Sequence, residues 1–294
     1  MSSRAILLHI AGLWLLSTLD ASGKLLVLAG VPVLVVTWFR YVVHTVLMSA
    51  ILLPTRGKAL LRTRSLPRQL LRGVLMIATS VLFFTLLGRA PLAEATAMNF
   101  MAPLFVMALA PWLLGESHRR HRWIGVAVGF AGMLVVVRPG GQLDGPGVAL
   151  GLACALCFAL FQLATRRVAH DDALTTNYYG GLSGSVALTL GLPFYWQLPP
   201  LEVWQWVLLV STGLTGFFGH WMQAAAYKRA PATLLAPFSY LQILSATALG
   251  WAVFGQLPDR VTALGIALIC AAGLGVALVE GWLARRQSRG VKAP

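Results

Sequence analysis

Apolar stretches of nearly membrane-spanning length recur along the whole of this 294-residue chain. Crossing roughly 30 Å of hydrocarbon takes about 20 residues of α-helix, so ten such stretches use up most of the sequence. Apolar residues make up 58% of the chain and charged residues 11%, against about 45 to 50% and about 25% in soluble proteins. The sequence therefore predicts an all-α integral membrane protein with ten transmembrane helices and no soluble domain.

Glycine, proline and charged residues separate the apolar stretches and set the predicted helix bounds. The first five helices are predicted near Ala5–Leu19, Pro32–Leu53, Gln69–Leu87, Pro91–Leu114 and Trp123–Val137. The second five are predicted near Pro146–Thr165, Thr175–Trp196, Val203–Tyr227, Pro231–Phe254 and Thr262–Leu283. The first stretch also has the form of a secretory signal. We interpret it as a retained helix, because its removal would disturb the charge distribution and the repeat described below.

Basic residues concentrate on one side of the predicted membrane. With the N-terminus in the cytoplasm, 18 of the 23 basic residues fall in cytoplasmic segments and four, including Lys24, in outer loops, while Arg40 lies within a helix. This asymmetry over short loops predicts that both termini face the cytoplasm, here across the inner membrane of a bacterium. It also explains the net charge of +14 without a nucleic-acid partner, which would call for a basic surface patch.

An internal repeat appears when the chain is shifted by 140 residues. The shift aligns Arg89-Ala90-Pro91 with Arg229-Ala230-Pro231, Phe100 with Tyr240, Gly115 with Gly255, and Gly125 with Gly265. A repeat of five helices starts its second copy on the opposite side of the membrane. We therefore predict two inverted halves, 1–139 and 146–284, followed by a basic cytoplasmic tail, 285–294. Inverted repeats build many secondary transporters, whose substrate site lies near the midplane.

The repeated residues resemble a known family. Gly88 to Leu104, Gly115-Glu116-Ser117 and Gly125 to Gly132, with the second copy ending in Gly255-Gln256-Leu257, are similar to the EamA-type repeat of the drug/metabolite transporter superfamily. The resemblance covers essentially the whole chain and is strongest to bacterial exporters of aromatic amino acids of the YddG type. It implies a ten-helix inverted repeat and export of aromatic or hydrophobic amino acids, or related metabolites, by alternating access. Gln256 stands where the family usually has Glu, so no role of that carboxylate is carried over.

The second predicted helix carries a polar face. Thr37, Arg40, Tyr41, His44 and Met48 have the spacing of a single helical face. A charge at mid-membrane costs about 2.5 to 3.5 kcal/mol on insertion scales. We therefore predict that Arg40, with Tyr41 and His44, binds substrate. The alternative is structural, with the guanidinium bound to backbone carbonyls near a helix end.

Ionisable groups within the predicted spans are few. Of nine acidic residues, seven, including Asp20, are placed in or beside loops, Glu280 lies near a helix end, and Glu94 alone falls within a span. Proton-driven transporters usually carry such groups along the transport path. The candidates for coupling are therefore His9, His44 and Glu94, and the alternative for each histidine is a neutral packing role.

Midplane positions of the two halves should line one cavity. The repeat pairs Asn99 with Ser239 and Phe100 with Tyr240. Other polar or aromatic residues predicted near mid-depth are Trp14, Ser17, Thr79, Phe83, Phe158, Gln162 and Gln242. Aromatic walls with a few polar groups suit an amphipathic solute, although each of these residues is also compatible with packing or lipid contact.

Other classes of function find little support. The sequence has no HExxH, no GxSxG and no paired intramembrane carboxylates. The residue patterns that acid/base or metal catalysis requires are therefore missing. We therefore predict no enzyme activity, cofactor or metal, and partners restricted to a small-molecule substrate and membrane lipids. GxxxG pairs such as Gly125 with Gly129 are interpreted as packing within one chain, as in a monomer. A membrane-embedded enzyme, a broad drug/metabolite efflux pump and a lipid-moving or channel protein remain the alternatives.

Overall fold

A computed structural model describes residues 2–115, 120–138, 143–230, 235 and 238–290. All regular structure in these residues is helical. The first half contains α1 (Ser2–Leu28), α2 (Val33–Arg56), a 3-10 turn (Gly57–Leu61), α3 (Leu66–Leu87), α4 (Leu92–Asn99), α5 (Ala102–Leu114) and α6 (Arg120–Val136). The second half contains α7 (Gly145–Arg167), α8 (Ala173–Tyr195), α9 (Val203–Tyr227), α10 (Leu241–Phe254) and α11 (Arg260–Gly290).

Six described helical segments are long and apolar enough to cross a membrane. They are Ser3–Leu28, Val33–Leu61, Leu66–Leu87, Leu92–Leu114, Gly145–Arg167 and Arg260–Val279, and the shorter segments Trp123–Val136 and Leu241–Phe254 are also apolar. Helices α8 and α9, with 23 and 25 residues, are about 35 and about 38 Å long at 1.5 Å per residue. The chain is therefore a multi-pass membrane protein built from helices.

Helix α1 is longer than predicted, ending at Leu28 rather than Leu19. The small residues around Gly23 do not stop it, because they serve packing: a Cβ at Gly23 would collide with the ring of Phe84. The helix ends near Gly30, whose φ is +85°, a backbone conformation that favours glycine. This extension corrects two placements, since Asp20 and Lys24 lie inside α1 and not in or beside a loop.

The predicted fourth helix is broken in two. Helix α4 ends at Asn99 and α5 starts at Ala102. Pro103 has no N–H to donate to the carbonyl of Asn99, four residues earlier, and its ring clashes with that turn of a regular helix. The chain instead tightens at the break, where the amide of Met101 donates to the carbonyl of Met98 over 3.0 Å.

The second half has a turn at the position equivalent to this break. Tyr240, the counterpart of Phe100, caps the start of α10. The amide of Ile243 donates to the carbonyl of Tyr240 over 3.1 Å. Most of the predicted segment before it, 231–234 and 236–237, lies outside the described residues.

The helices of the two halves are interleaved. Helix α1 packs against α9, α3 against α7, α2 against α8, and α6 against α11. The 140-residue shift aligns α3 with α9, and it aligns α1 with α7. The contact of α3 with α7 therefore has its counterpart in the contact of α1 with α9.

Two glycines allow α6 and α11 to approach closely. A Cβ on Gly132 would lie 2.8 Å from the carbonyl oxygen of Gly265, and a Cβ on Gly265 would lie 2.7 Å from that of Gly132. Small residues are common where helix backbones meet in membranes.

Candidate functional site

A cavity of about 200 Å³ with both polar and apolar lining lies at the centre of the bundle. Its polar lining consists of Asp20, Arg40, Thr79, Ser80, Asn99, His220, Gln223 and Gln242, and its aromatic lining of Phe83, Phe100 and Phe158. Helices α1, α2, α3, α4, α7, α9 and α10 contribute these residues, so both halves of the chain form the wall. Seven of them were predicted from the sequence: Arg40, Thr79, Phe83, Asn99, Phe100, Phe158 and Gln242.

The guanidinium of Arg40 is oriented by its neighbours, but only part of its hydrogen-bonding capacity is used. Its Nη1 donates to the hydroxyl of Ser80 over 3.2 Å, and that hydroxyl is 2.9 Å from the hydroxyl of Tyr41. The rings of Tyr41 and Phe84 lie 5.8 and 5.9 Å from the Arg40 Cζ atom. An arginine has five N–H donors in a planar fork, so most of this guanidinium is available to a ligand in the cavity.

Asp20 supplies the opposite charge in the same cavity. Its side chain is 8% exposed and lies within electrostatic reach of Arg40. Its carboxylate has no hydrogen-bond partner among the described residues. Burying unpaired charges is costly, and the cavity therefore places a guanidinium and a carboxyl group where a ligand with both charges would complement them.

The central cavity continues towards the basic end of the bundle, the end that holds Arg4 and Lys228. Arg40 and His220 also line a neighbouring cavity of about 240 Å³. Asn177 is shared by that cavity and a third one of about 600 Å³, which Arg4 and Lys228 also line. The three cavities together mark a path from the centre to the basic end.

The second cavity holds Tyr41 and His44, two further predicted residues. The ring of His44 lies 6.3 Å from that of His220 and 5.7 Å from that of Phe217. Two imidazoles beside Arg40 offer both donors and acceptors of hydrogen bonds.

Arg72, which falls in the predicted third helix Gln69–Leu87, is buried between helices of both halves. It lies within α3 and is 7% exposed. Its Nε donates to Thr165 Oγ1 over 2.8 Å, its Nη1 donates to the carbonyl of Thr176 over 2.7 Å, and its guanidinium lies 4.7 Å from the ring of Phe161. The side chain therefore ties α3 to α7 and α8 beside the second cavity.

Several predicted site residues lie outside the central cavity. Trp14 is 45% exposed on the outside of α1, and Gln162 is half-buried outside the three cavities. The hydroxyl of Ser17 is 2.6 Å from that of Ser245, which joins α1 to α10. These three residues were predicted from polarity and depth, and none of them lines the three cavities.

Two more predicted residues form a separate contact. His9 Nε2 lies 3.1 Å from the hydroxyl of Ser239, and the His9 ring is 5.5 Å from that of Tyr227. Tyr240 lies behind Phe100 and not in the cavity lining, with its hydroxyl beside Gly273. These contacts connect the N-terminal part of α1 to the second half.

Glu94 lies towards the opposite end of the bundle, which we call the Lys24 end. This end also holds Lys24 and the ion pair between Arg138 and Asp259, whose Nη2 and Oδ2 atoms are 2.9 Å apart. Glu94 is fully buried and lies within electrostatic reach of all three groups.

Asp20, Ser80, His220 and Gln223 were missed as site residues, although the sequence carries a signal for Asp20, His220 and Gln223. Asp20 lies three residues after Ser17 and four before Lys24, which is the spacing of one helical face. The apolar run also resumes after Gly23 and continues to Leu28. His220 and Gln223 are likewise three residues apart in an apolar helix.

A metal site is not formed by the described part of the chain, where no group of three or more His, Cys, Asp or Glu is close enough to hold an ion. The arrangement offers charged and aromatic groups to a bound solute. A bundle of apolar helices around such a cavity, with a path to one end, defines a multi-pass membrane protein that transports small molecules.

The chain belongs to the EamA-like transporter family, which matches residues 3–138 and 145–278. The match falls once on each half of the chain. A solved crystal structure of a protein that is 23% identical aligns with 98% of this chain and 99% of its own, with a TM-score of 0.66. At that identity the likeness concerns the fold.

The relatives are named for different solutes. An S-adenosylmethionine uptake transporter of Rickettsia bellii is 26% identical over 225 residues, covering 76% of this chain and 77% of the relative. A riboflavin transporter of Vibrio cholerae is 27% identical, covering 88% and 87%. The pseudopaline exporter CntI of Pseudomonas aeruginosa is 28% identical, covering 83% and 86%. These names support small-molecule transport and leave the YddG-type export of aromatic amino acids as a prediction.

Proposed function

We propose that this protein is a secondary transporter of the bacterial inner membrane that exports amino acids or related small amphipathic metabolites. Transport proceeds by alternating access through the central cavity, between two inverted five-helix halves with both termini in the cytoplasm. The observation that carries the proposal is the presence of Asp20 and Arg40 in one cavity.

An amino acid has the two charges that this cavity complements. The guanidinium of Arg40 binds the substrate carboxylate, since a planar fork of N–H donors matches a carboxylate in a bidentate way. Asp20 binds the substrate ammonium group. A neutral solute would leave both buried charges uncompensated, which is unfavourable.

The aromatic residues of the cavity suit the substrate side chain. Phe83, Phe100 and Phe158 form its apolar wall, and the amides of Asn99 and Gln242 add adaptable hydrogen-bonding groups. Ligand sites commonly combine an apolar wall with a few polar groups that fix orientation. This composition favours amino acids with apolar or aromatic side chains.

The transport path supports alternating access. The cavities lead to the basic end, which faces the cytoplasm in the orientation predicted from the charges, whereas buried polar contacts close the Lys24 end. The structure thus has the arrangement expected of a state that loads from the cytoplasm. Export from this state requires the Lys24 end to open and the basic end to close.

The relatives are compatible with this substrate class. S-adenosylmethionine contains an amino-acid group, and an exporter is also among the relatives. A broad metabolite efflux pump is the second candidate, favoured by the variety of solutes among the relatives, since riboflavin is not an amino acid.

The experiment is transport by purified protein in liposomes, with a panel of labelled amino acids and with labelled riboflavin, with and without a pH gradient. The account expects saturable transport of apolar or aromatic amino acids, lost in Arg40→Gln. Arg62→Gln is the matched control. Because Arg62 is exposed in a loop, this variant should transport at the parent rate. Transport of riboflavin but not of amino acids would favour the broad pump.

A further inference from the structure

The Lys24 end is closed by a buried lysine that joins both halves of the chain. Lys24 is 2% exposed. Its ammonium donates to the carbonyl of Ala90 over 2.6 Å and to Gln256 Oε1 over 2.9 Å, and it lies 4.9 Å from the centre of the Phe254 ring. Ala90 precedes α4, whereas Gln256 follows α10. We call these two hydrogen bonds the Lys24 clasp, because this end cannot open while both are formed.

Glu94 lies near the clasp without a hydrogen bond of its own. Neither carboxylate oxygen has a partner among the described residues, and the side chain is fully buried. An ionised carboxylate in that environment is costly. A bound proton neutralises the carboxylate and so removes this cost in the closed state.

The charged groups around Glu94 decide which ion it binds. Lys24 faces it from α1, Arg138 from the end of α6, and Asp259 from the start of α11. Arg138 and Asp259 are paired with each other. Arg89 and Asp144, at the ends of α3 and α7, form an exposed pair of their own, and no charged residue lies within α10.

Two cations beside Glu94 disfavour a metal ion there, and they favour the ionised carboxylate once a proton has left it. Of the facing groups, Lys24 is the cation whose hydrogen bonds go to uncharged acceptors. It is therefore the group that an ionised Glu94 would attract.

We propose that Glu94 is a proton-binding site that controls the Lys24 clasp. With the proton bound, Lys24 stays on Ala90 and Gln256 and this end is closed. When the proton leaves to the solution on the Lys24 side, the Glu94 carboxylate draws the ammonium away from both acceptors and this end opens. The proposal rests on the transporter function, and it assigns a regulatory role to a site distinct from the central cavity.

The test measures opening directly and needs no substrate. Cys154, Cys157 and Cys270 are replaced by Ala, and a single cysteine is placed at Ala90, which is 3% exposed, or at Val203, which is 80% exposed. Proteoliposomes are labelled with a membrane-impermeant maleimide at about pH 5 and about pH 8, on either side of the range in which carboxyl groups in proteins commonly titrate. The quantity compared is the labelling at position 90 divided by the labelling at position 203. This ratio removes the effect of pH on thiol reactivity.

The expected ratio rises several-fold from the acidic to the alkaline condition in the parent protein. Glu94→Gln, which resembles the protonated side chain, keeps the ratio low at both pH values. Lys24→Met removes the clasp and makes it high at both, and Gln256→Leu, which removes one acceptor, raises it at the acidic pH. The proposal is overturned if the parent ratio is the same at both pH values, or if Glu94→Gln retains the parent's pH response. Since labelling does not depend on an amino-acid substrate, this failure is distinguishable from failure of the proposed function.

Discussion

The ring of Phe100 lies 5.2 Å from the ring of Tyr240, with an angle of 38° between their planes. The two residues are 140 positions apart, and each stands at a turn that precedes a helix, α5 or α10. The halves of the chain therefore touch at equivalent points, next to the central cavity. Discontinuous helices commonly form substrate sites where the repeats of secondary transporters meet.

This contact makes the size of Tyr240 a determinant of selectivity. Tyr240→Ala should remove the support behind Phe100, enlarge the cavity and shift transport towards amino acids with bulkier side chains. The measurement is competition among labelled amino acids in proteoliposomes. Leu190→Ala, at a position that is 73% exposed, should leave the ranking unchanged, and an unchanged ranking in Tyr240→Ala would contradict the assignment.

Asn99 should contribute to affinity and not to selectivity. Its side chain lines the cavity, and its Oδ1 atom lies 3.8 Å from the thiol of Cys154. Loss of one neutral hydrogen bond to the substrate in Asn99→Ala should weaken binding by about 0.5 to 1.5 kcal/mol. Direct binding measurements on purified protein test this value, and wild-type affinity would place the substrate elsewhere.

The approach of α6 to α11 predicts a difference between two glycines of α11. Gly265→Ala forces the Cβ against the backbone of Gly132 and should destabilise the protein by about 1 to 3 kcal/mol, as overpacking does. Gly275→Ala has open space, with nothing within 4 Å of an added Cβ, and should be neutral or slightly stabilising because alanine favours helix. Thermal unfolding in detergent compares the two. Equal melting temperatures would show that the helices are not in backbone contact.

The orientation of the helices is tested by reporter fusions. The charge distribution predicts that the C-terminus lies in the cytoplasm and the segment after Tyr195 outside. A periplasm-active reporter joined after Tyr195 should be active, and the same reporter at the C-terminus should be inactive. A C-terminus found outside would contradict the predicted topology.

Asp171 joins the loops at the basic end and should give stability that depends on pH. Burial alone would raise the pKa of this carboxyl, but hydrogen bonds from the Thr63 hydroxyl, the Arg64 amide and the Gln69 amide group lower it below its ordinary value. A lowered folded-state pKa means that the stabilisation is present above the unfolded-state value, about 3.9, and is lost as the pH falls through the folded-state pKa. Asp171→Asn should therefore lower the melting temperature at neutral pH, with a difference that narrows under strong acid. A difference independent of pH would contradict this account.

Much of the architecture followed from the sequence because hydrocarbon thickness fixes helix length. The apolar runs locate most of the helices, and the 140-residue register pairs Phe100 with Tyr240 from the sequence alone. The helix break at Phe100 was not predicted, although Pro103 carries its cause. Proline is tolerated in membrane helices, so its presence did not indicate where the chain would bend.

The charged residues were harder to place. Asp20 and Lys24 were assigned to loops or loop edges, and Arg72 was placed in a helix but not recognised as a buried contact, because hydropathy alone cannot distinguish a loop from a polar helix face that points into the protein. Their partners are distant in sequence: Lys24 meets Gln256, and Arg72 meets Thr165. Only the packing of α1 and α3 against the second half brings those groups together.

The most direct test of the central claim is the binding of an amino acid and of its two single-charge analogues to the purified protein. Phenylalanine, its amine analogue without the carboxylate and its acid analogue without the ammonium group are compared by calorimetry, in the parent protein, Asp20→Asn and Arg40→Gln. The account predicts that the parent binds phenylalanine at least about tenfold more tightly than either analogue, the equivalent of roughly 1.4 kcal/mol. It also predicts that Arg40→Gln abolishes the preference for the carboxylate and Asp20→Asn the preference for the ammonium group. Equal binding of all three ligands by the parent, or unchanged preferences in both variants, would contradict it.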